Sequence, residues 1–171
     1  SVGLVRLTNG RFVIYTTKDG LSPGFIHTIC EDRQGNIWIG AKGGGINGLK
    51  DGVFTVYTTK DGLSSNIIRS TYVDSEDNLW IGTNRGLSSF RDGTFTTYMT
   101  ANGLQINTIR TLKPDRHGDL WIGSSSVGLV RLTNGRFVIY TTKDGLSPGF
   151  IHTICEDRQG NIWIGAKGGG I

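Results

Sequence analysis

The chain has 171 residues, 36% apolar and 19% charged, with 27 glycines, three prolines and a formal charge of +4. That length suits one domain with its own core, and the glycine share predicts many tight turns rather than disorder. Lysine and arginine are scattered with no basic run longer than two residues, which argues against nucleic acid as a partner; no apolar run is long enough for a membrane span, and the opening residues do not read as a signal peptide.

The chain opens on VGLVRL and RFVIYTT, two strand-like runs joined by Asn9-Gly10, a pair that favours the type I′ hairpin turn. After Asp19-Gly20-Leu21 comes FIHTIC, a β-branched run ending at the acidic turn DRQGN, then NIWIGA, a second short strand. Two more strands follow, joined through Asp51-Gly52. The same order returns after Asp61-Gly62-Leu63, with NIIRSTYVD, the turn SEDN, LWIGT, GLSSF, Asp92-Gly93 and TFTTYMT. A third unit follows Asn102-Gly103-Leu104 and carries its hairpin at Asn134-Gly135; FIHTIC and NIWIGA then reappear after Asp144-Gly145-Leu146. Trp38, Trp80, Trp121 and Trp163 each begin the tripeptide Trp-Ile-Gly, a recurrence every 41 or 42 residues.

Four short strands per unit of this period predict an all-β fold, a β-propeller of four-stranded antiparallel blades with four blade-equivalents per chain and the terminal blade split. Residues 1–17 are expected to form one half blade, 25–59, 66–99 and 107–142 complete blades, and 150–171 the other half.

GLSSNIIRSTYVDSEDNLWIGTNRGLSSF and GLSPGFIHTICEDRQGNIWIGAKGGGI resemble the two-component regulator propeller repeat, and the resemblance runs through four tandem copies. In that family Gly-Leu-Pro/Ser precedes an isoleucine-rich strand, and Gly-Asn-Leu-Trp-Ile-Gly-Thr precedes Gly-Gly-Leu. The resemblance implies a propeller like those in the periplasmic sensing region of hybrid two-component regulators, where seven-bladed rings often respond to glycan fragments. It therefore implies a periplasmic or extracytoplasmic location and a binding rather than a catalytic role.

Residues 1–46 recur unchanged as 126–171. Surface positions drift first because few substitutions there cost much stability, so the duplication is recent or deliberate. An engineered or freshly amplified self-assembling scaffold without ligand is accordingly the alternative reading. The half blades are expected to complete each other, within one chain or, preferably, between two copies that close an eight-bladed ring. AKGGGI overlaps in phase with the opening SVGL, so one of the two is expected to be displaced.

His27 and its equivalents Arg69, Arg110 and His152 occupy one position of the first strand, which lines a propeller's channel. Such a ring at the channel mouth suits an anion, an acidic oligosaccharide or another small polar ligand. The competing reading makes them solvated strand ends, or partners of Glu31, Asp32, Asp74 and Asp115. Trp38, Trp80, Trp121 and Trp163 are read as blade core. Tyr15, Tyr57, Tyr98 and Tyr140 on the outermost strand are candidates for exposed aromatic contacts or for sheet-edge cover.

The acidic turns lack the spacing of a calcium loop and read as Asx turns with a positive-φ glycine. Cys30 and Cys155 are copies of one residue, expected as buried thiols rather than a disulfide. No nucleophile, base and orienting group assemble in the sequence, so no catalytic residue, metal or cofactor is assigned. A propeller lyase using a channel histidine is the third reading.

Overall fold

The computed structural model describes residues 3–98 and 108–168. The turn at 102–104 and the overlap of 1–2 with 169–171 lie outside the described residues. Strands β1 (Leu4–Thr8) and β2 (Arg11–Tyr15) form a two-stranded sheet. A four-stranded sheet follows from β3 (Phe25–Glu31), β4 (Ile37–Lys42), β5 (Gly45–Lys50) and β6 (Val53–Tyr57). The next holds β7 (Ile68–Val73), β8 (Leu79–Thr83), β9 (Gly86–Arg91) and β10 (Thr94–Tyr98), and the third holds β11 (Ile109–Pro114), β12 (Leu120–Ser124), β13 (Leu129–Thr133) and β14 (Arg136–Tyr140). A final pair, β15 (Phe150–Glu156) and β16 (Ile162–Lys167), stands as its own sheet, and β16 does not pair with β1. All pairings are antiparallel, and among the described residues there is no α-helix.

Local chemistry fixes these elements. In the outer hairpins both central residues take positive φ, as at Asp92 (49°) and Gly93 (80°), which is the type I′ turn that the Asn-Gly and Asp-Gly pairs favour. Between sheets the sequence Thr-Thr-Lys-Asp-Gly makes one 3-10 turn, at Thr17–Asp19, Thr59–Asp61 and Thr142–Asp144. Asp19 Oδ2 accepts from the Thr16 N–H at 2.7 Å while the Thr16 side chain accepts from the turn, a reciprocal cap that recurs at Thr58/Asp61 and Thr141/Asp144. The sequence had shown this segment only as a connection; the Thr-x-x-Asp spacing was its signal.

Neighbouring sheets meet through their first and second strands, with β3 and β4 beside β7, β7 and β8 beside β11, and β11 and β12 beside β15. Trp-Ile-Gly builds this joint. Ile39, Ile81 and Ile122 are fully buried toward the preceding sheet, while Trp38 packs forward onto Leu79, Ile81 and Phe90. The glycine is needed for its missing side chain, since a Cβ on Gly40 would stand 2.5 Å from Ile68 Cγ2, and one on Gly123 2.6 Å from Ile151 Cγ2. Small residue under large residue lets each sheet approach the next at normal core density.

Candidate functional site

Each first strand carries a β-bulge at one place. Ile26 pairs with Ala41 and then Thr28 with Gly40, Ile68 with Thr83 and then Ser70 with Gly82, Ile109 with Ser124 and then Thr111 with Gly123, Ile151 with Ala166 and then Thr153 with Gly165. The residues left over are His27, Arg69, Arg110 and His152. Alignment of the repeats finds the position, but not the bulge that releases these side chains from the pleat and re-aims them.

The four differ in their surroundings. Arg69 Nε is buried without a hydrogen-bond partner, as is the adjacent Ser70 Oγ. Arg110 Nε donates to Ser125 Oγ, and its guanidinium carbon sits 5.5 Å from the ring centroid of Phe150 on the next first strand. His27 and His152 are exposed. None of the 14 Asp and Glu residues lies in the first three residues of a first strand or in a turn from second to third strand, whereas exposed Lys42, Arg85 and Lys167 sit at those turns. The bulged strand ends and these turns are therefore positive, and the carboxylates of the inter-sheet connections at the same end, Asp19, Asp61 and Asp144, are each bonded within their own turn.

Of the carboxylates proposed as partners of the ring, Asp32, Asp74 and Asp115 are engaged elsewhere, and Glu31 is exposed at the far end of its strand from His27. Asp32 Oδ1 accepts from the Gln34 and Asn36 N–H groups, and its Oδ2 accepts from the Asn36 amide at 2.6 Å and from the Trp38 indole at 2.8 Å. The indole bond recurs at Asp74/Trp80 (2.8 Å), Asp115/Trp121 (2.9 Å) and Asp157/Trp163 (2.9 Å). Each acidic residue thus caps its Asx turn and holds its tryptophan, and Trp38, Trp80 and Trp121 in turn pack the next joint. The constant interval from Asp to Trp was legible, though the bond was not foreseen.

Around Asp32, Asp74 and Asp115 burial alone would raise the carboxyl, but the hydrogen bonds outweigh it and hold each below the ordinary range. At half-buried Asp157 the Trp163 and Asn161 bonds lower it strongly. The native carboxylates bind protons less tightly than the unfolded chain, so their stabilisation is complete above the ordinary carboxylate pKa of about 4 and is lost as pH falls through the lowered native values. Acid titration followed by tryptophan fluorescence is expected to show loss of the fold below pH of about 4. A profile flat down to pH of about 2 would mean that these bonds do not carry the turns.

The tyrosines are not exposed contacts. Tyr57 lies 6.0 Å from Trp38, Tyr98 lies 5.6 Å from Trp80 and Tyr140 lies 5.8 Å from Trp121 between ring centroids, so the outermost strand clamps the tryptophan of its own blade. Trp38 and Trp121 are buried and Trp80 is half-buried, whereas Trp163 is exposed because β16 has no third and fourth strand beside it. Cys30 is half-buried with its thiol pushed up by burial, and Cys155, expected inside, is exposed because no following first strand covers it. Both thiols are free.

Comparison with known proteins agrees with this geometry. The chain superposes on the extracellular domain assigned to the hybrid two component system BT3049 from B. thetaiotaomicron with a TM-score of 0.80 and 24% identity, over 91% of this chain and 22% of that one. The extracellular domain of the one component system BT4673 from the same organism gives 0.72 and 25%, over 88% and 24%. Virginiamycin B lyase from Staphylococcus aureus gives 0.73 at 18% identity, over 95% and 55%, a likeness of fold alone. The chain thus spans less than a quarter of the two regulator domains. No curated protein matches it. The two component regulator propeller model matches at residues 20–43, 62–85, 103–126 and 145–168, each match running from the inter-sheet turn through the bulge and Trp-Ile-Gly, and the chain belongs to that family.

Proposed function

We propose that this chain is a non-enzymatic, extracytoplasmic sensory propeller segment that binds a small anionic ligand, such as an acidic oligosaccharide, at the bulged ends of its first strands. The observation that carries the reading is Arg69, whose Nε is buried without a partner beside Arg110 on bulged strand ends that carry no acidic residue of their own. A donor left unpaired costs free energy that an incoming carboxylate or sulfate oxygen recovers. The regulator domains it resembles are extracellular, which supports the location. Among the described residues no helix is long and apolar enough to cross a membrane.

A lyase reading rests on the fold likeness and on His27 or His152. Among the described residues no three His, Cys, Asp or Glu side chains converge, and neither histidine has a nucleophile or orienting carboxylate at hydrogen-bond distance in the structure. Binding is the reading that the arrangement supports.

Titration calorimetry with an oligogalacturonate and with a neutral oligosaccharide of the same length tests it. The acidic sugar is expected to bind and the neutral one not, with affinity falling as salt rises. Arg69→Gln and Arg110→Gln should each weaken binding by about tenfold or more, the scale of one charge-assisted contact, and leave the melting temperature within about 2 °C, as a ΔΔG near 0.5 kcal/mol allows. Equal binding of both sugars, or unchanged affinity in both variants, would refute the assignment.

A further inference from the structure

Because 1–46 and 126–171 share one sequence, the chain shows the same side chains in two surroundings. Val5 is 52% exposed and its counterpart Val130 0%; Ile29 is 54% exposed and Ile154 6%; Trp163 is 57% exposed and Trp38 6%. In each pair the buried copy has a complete sheet beside it, and the exposed copy lies in or against a two-stranded one. Leu7, Phe12 and Ile14 extend the apolar face around Val5. What fits these surfaces is already present within the chain, because its complete sheets show the same strands covered.

We propose that β15–β16 of one copy of this chain pairs with β1–β2 of a second copy to form a complete four-stranded blade. The pairing of β12 with β13 supplies the register, since Trp121 stands opposite Arg131 and Ile122 opposite Val130. Transferred to the copies, Trp163 stands opposite Arg6 and Ile164 opposite Val5. The side-chain contacts transfer as well. Arg131 lies 5.1 Å from the Trp121 ring centroid and 3.8 Å from Asp115, so Arg6 of one copy covers Trp163 of the other beside Asp157. Tyr140 stacks on Trp121 at 5.8 Å, so Tyr15 stacks on Trp163. Arg116 reaches across to Glu156 on the next sheet, so Arg158 of one copy reaches Glu31 of the other.

Apolar face meets apolar face, cation meets anion, and two exposed strand edges become a ladder. The contact is heterologous, joining one end of a copy to the opposite end of the next, and two copies make eight blades when the rotation closes. Nothing in the pairing depends on the ligand at the channel mouth.

Sedimentation of the 171-residue chain over a concentration series is expected to reveal a species of twice the chain mass. The amides of β1 and β16 should exchange slowly in it. Val5→Lys should melt as the parent does when dilute, because the position is exposed there. It should associate at least a hundredfold more weakly, because the lysine must enter the place that Val130 fills. Val53→Lys, at an exposed position on the outer strand β6, should associate like the parent. A second pair of variants keeps the test independent of any misfolding: Arg158→Glu weakens association several-fold, and adding Glu31→Arg restores it. A single-chain mass at every concentration with freely exchanging β1 and β16 overturns the proposal. So does a single-chain mass with both strands protected, which would place β16 on β1 of the same chain, and so does equal association of the two lysine variants.

Discussion

Replacing Trp38 by alanine is expected to lower stability by about 3–5 kcal/mol, the cost of deleting a large aromatic side chain from a packed interior. The indole clusters with Ile46 of its own sheet, Ile68, Leu79, Ile81 and Phe90 of the next, and Leu63 of the connection between them, so its loss opens a cavity at the joint. Phe90 meets it edge to face at 5.1 Å, and Tyr57 lies 6.0 Å away on the outer strand of the same blade. These ring contacts add to the buried area and vanish together. Trp163 provides the control within the same molecule, since it has the same sequence neighbours and the same indole bond to an aspartate but is exposed. Trp163→Ala in the dilute single chain should cost well under 1 kcal/mol, as substitutions at exposed sites do. Denaturant midpoints of the two variants decide the matter, and equal costs would show that the tryptophans do not carry the joints between blades.

That contrast also shows what a sequence can and cannot convey. The period of Trp-Ile-Gly and the Asn-Gly or Asp-Gly hairpins encode local geometry, and they determined the four-stranded sheets and their order. Trp38 and Trp163 are indistinguishable in sequence and opposite in burial, because burial is decided by which strands lie alongside. Ile29 and Ile154 repeat the lesson on a first strand. The tyrosines of the outermost strand were read as exposed contacts or as sheet-edge cover, because an outer strand offers both; register turned Tyr57, Tyr98 and Tyr140 onto the tryptophans of their own blades.

The site was legible as a position and not as an environment. His27, Arg69, Arg110 and His152 align by counting along the repeats, but the bulge that presents them arises from a one-residue mismatch between two strands, which no single strand reveals. The aspartates were assigned correctly to Asx turns, while their second oxygen, which holds the tryptophan, belongs to a contact six residues away. Asp77 makes a similar point. It stands where the other turns have Gly35, Gly118 and Gly160, adopts a φ of 67°, and its side chain accepts the Arg33 N–H of the preceding sheet at 3.0 Å. A residue unfavourable for its own backbone is retained where it bonds a neighbour, and only the neighbour explains it.

Gly82→Ala is expected to destabilise the protein by about 1–3 kcal/mol, the cost of overpacking a filled core. The expected sign is not trivial, because glycine to alanine in an ordinary strand conformation stabilises by about 0.4–1 kcal/mol through the unfolded chain, and Gly82 is not at positive φ. The added Cβ would lie 2.5 Å from Ile109 Cγ2 and 3.2 Å from Ile109 Cβ, and would overlap Ser70 Oγ. Ile109 cannot yield readily, since it is itself fully buried among Leu87, Leu120, Ile122 and Val130. Either sheet must then move, and β7, β8 and β11 meet at this point. Removing the obstructing methyl group should reveal the cause: in Gly82→Ala with Ile109→Ala, the combined loss should be smaller than the sum of the single losses by about 1 kcal/mol or more, as for residues in direct contact. Strict additivity, or a midpoint that rises in Gly82→Ala alone, would mean that the glycine of Trp-Ile-Gly does not set the distance between blades.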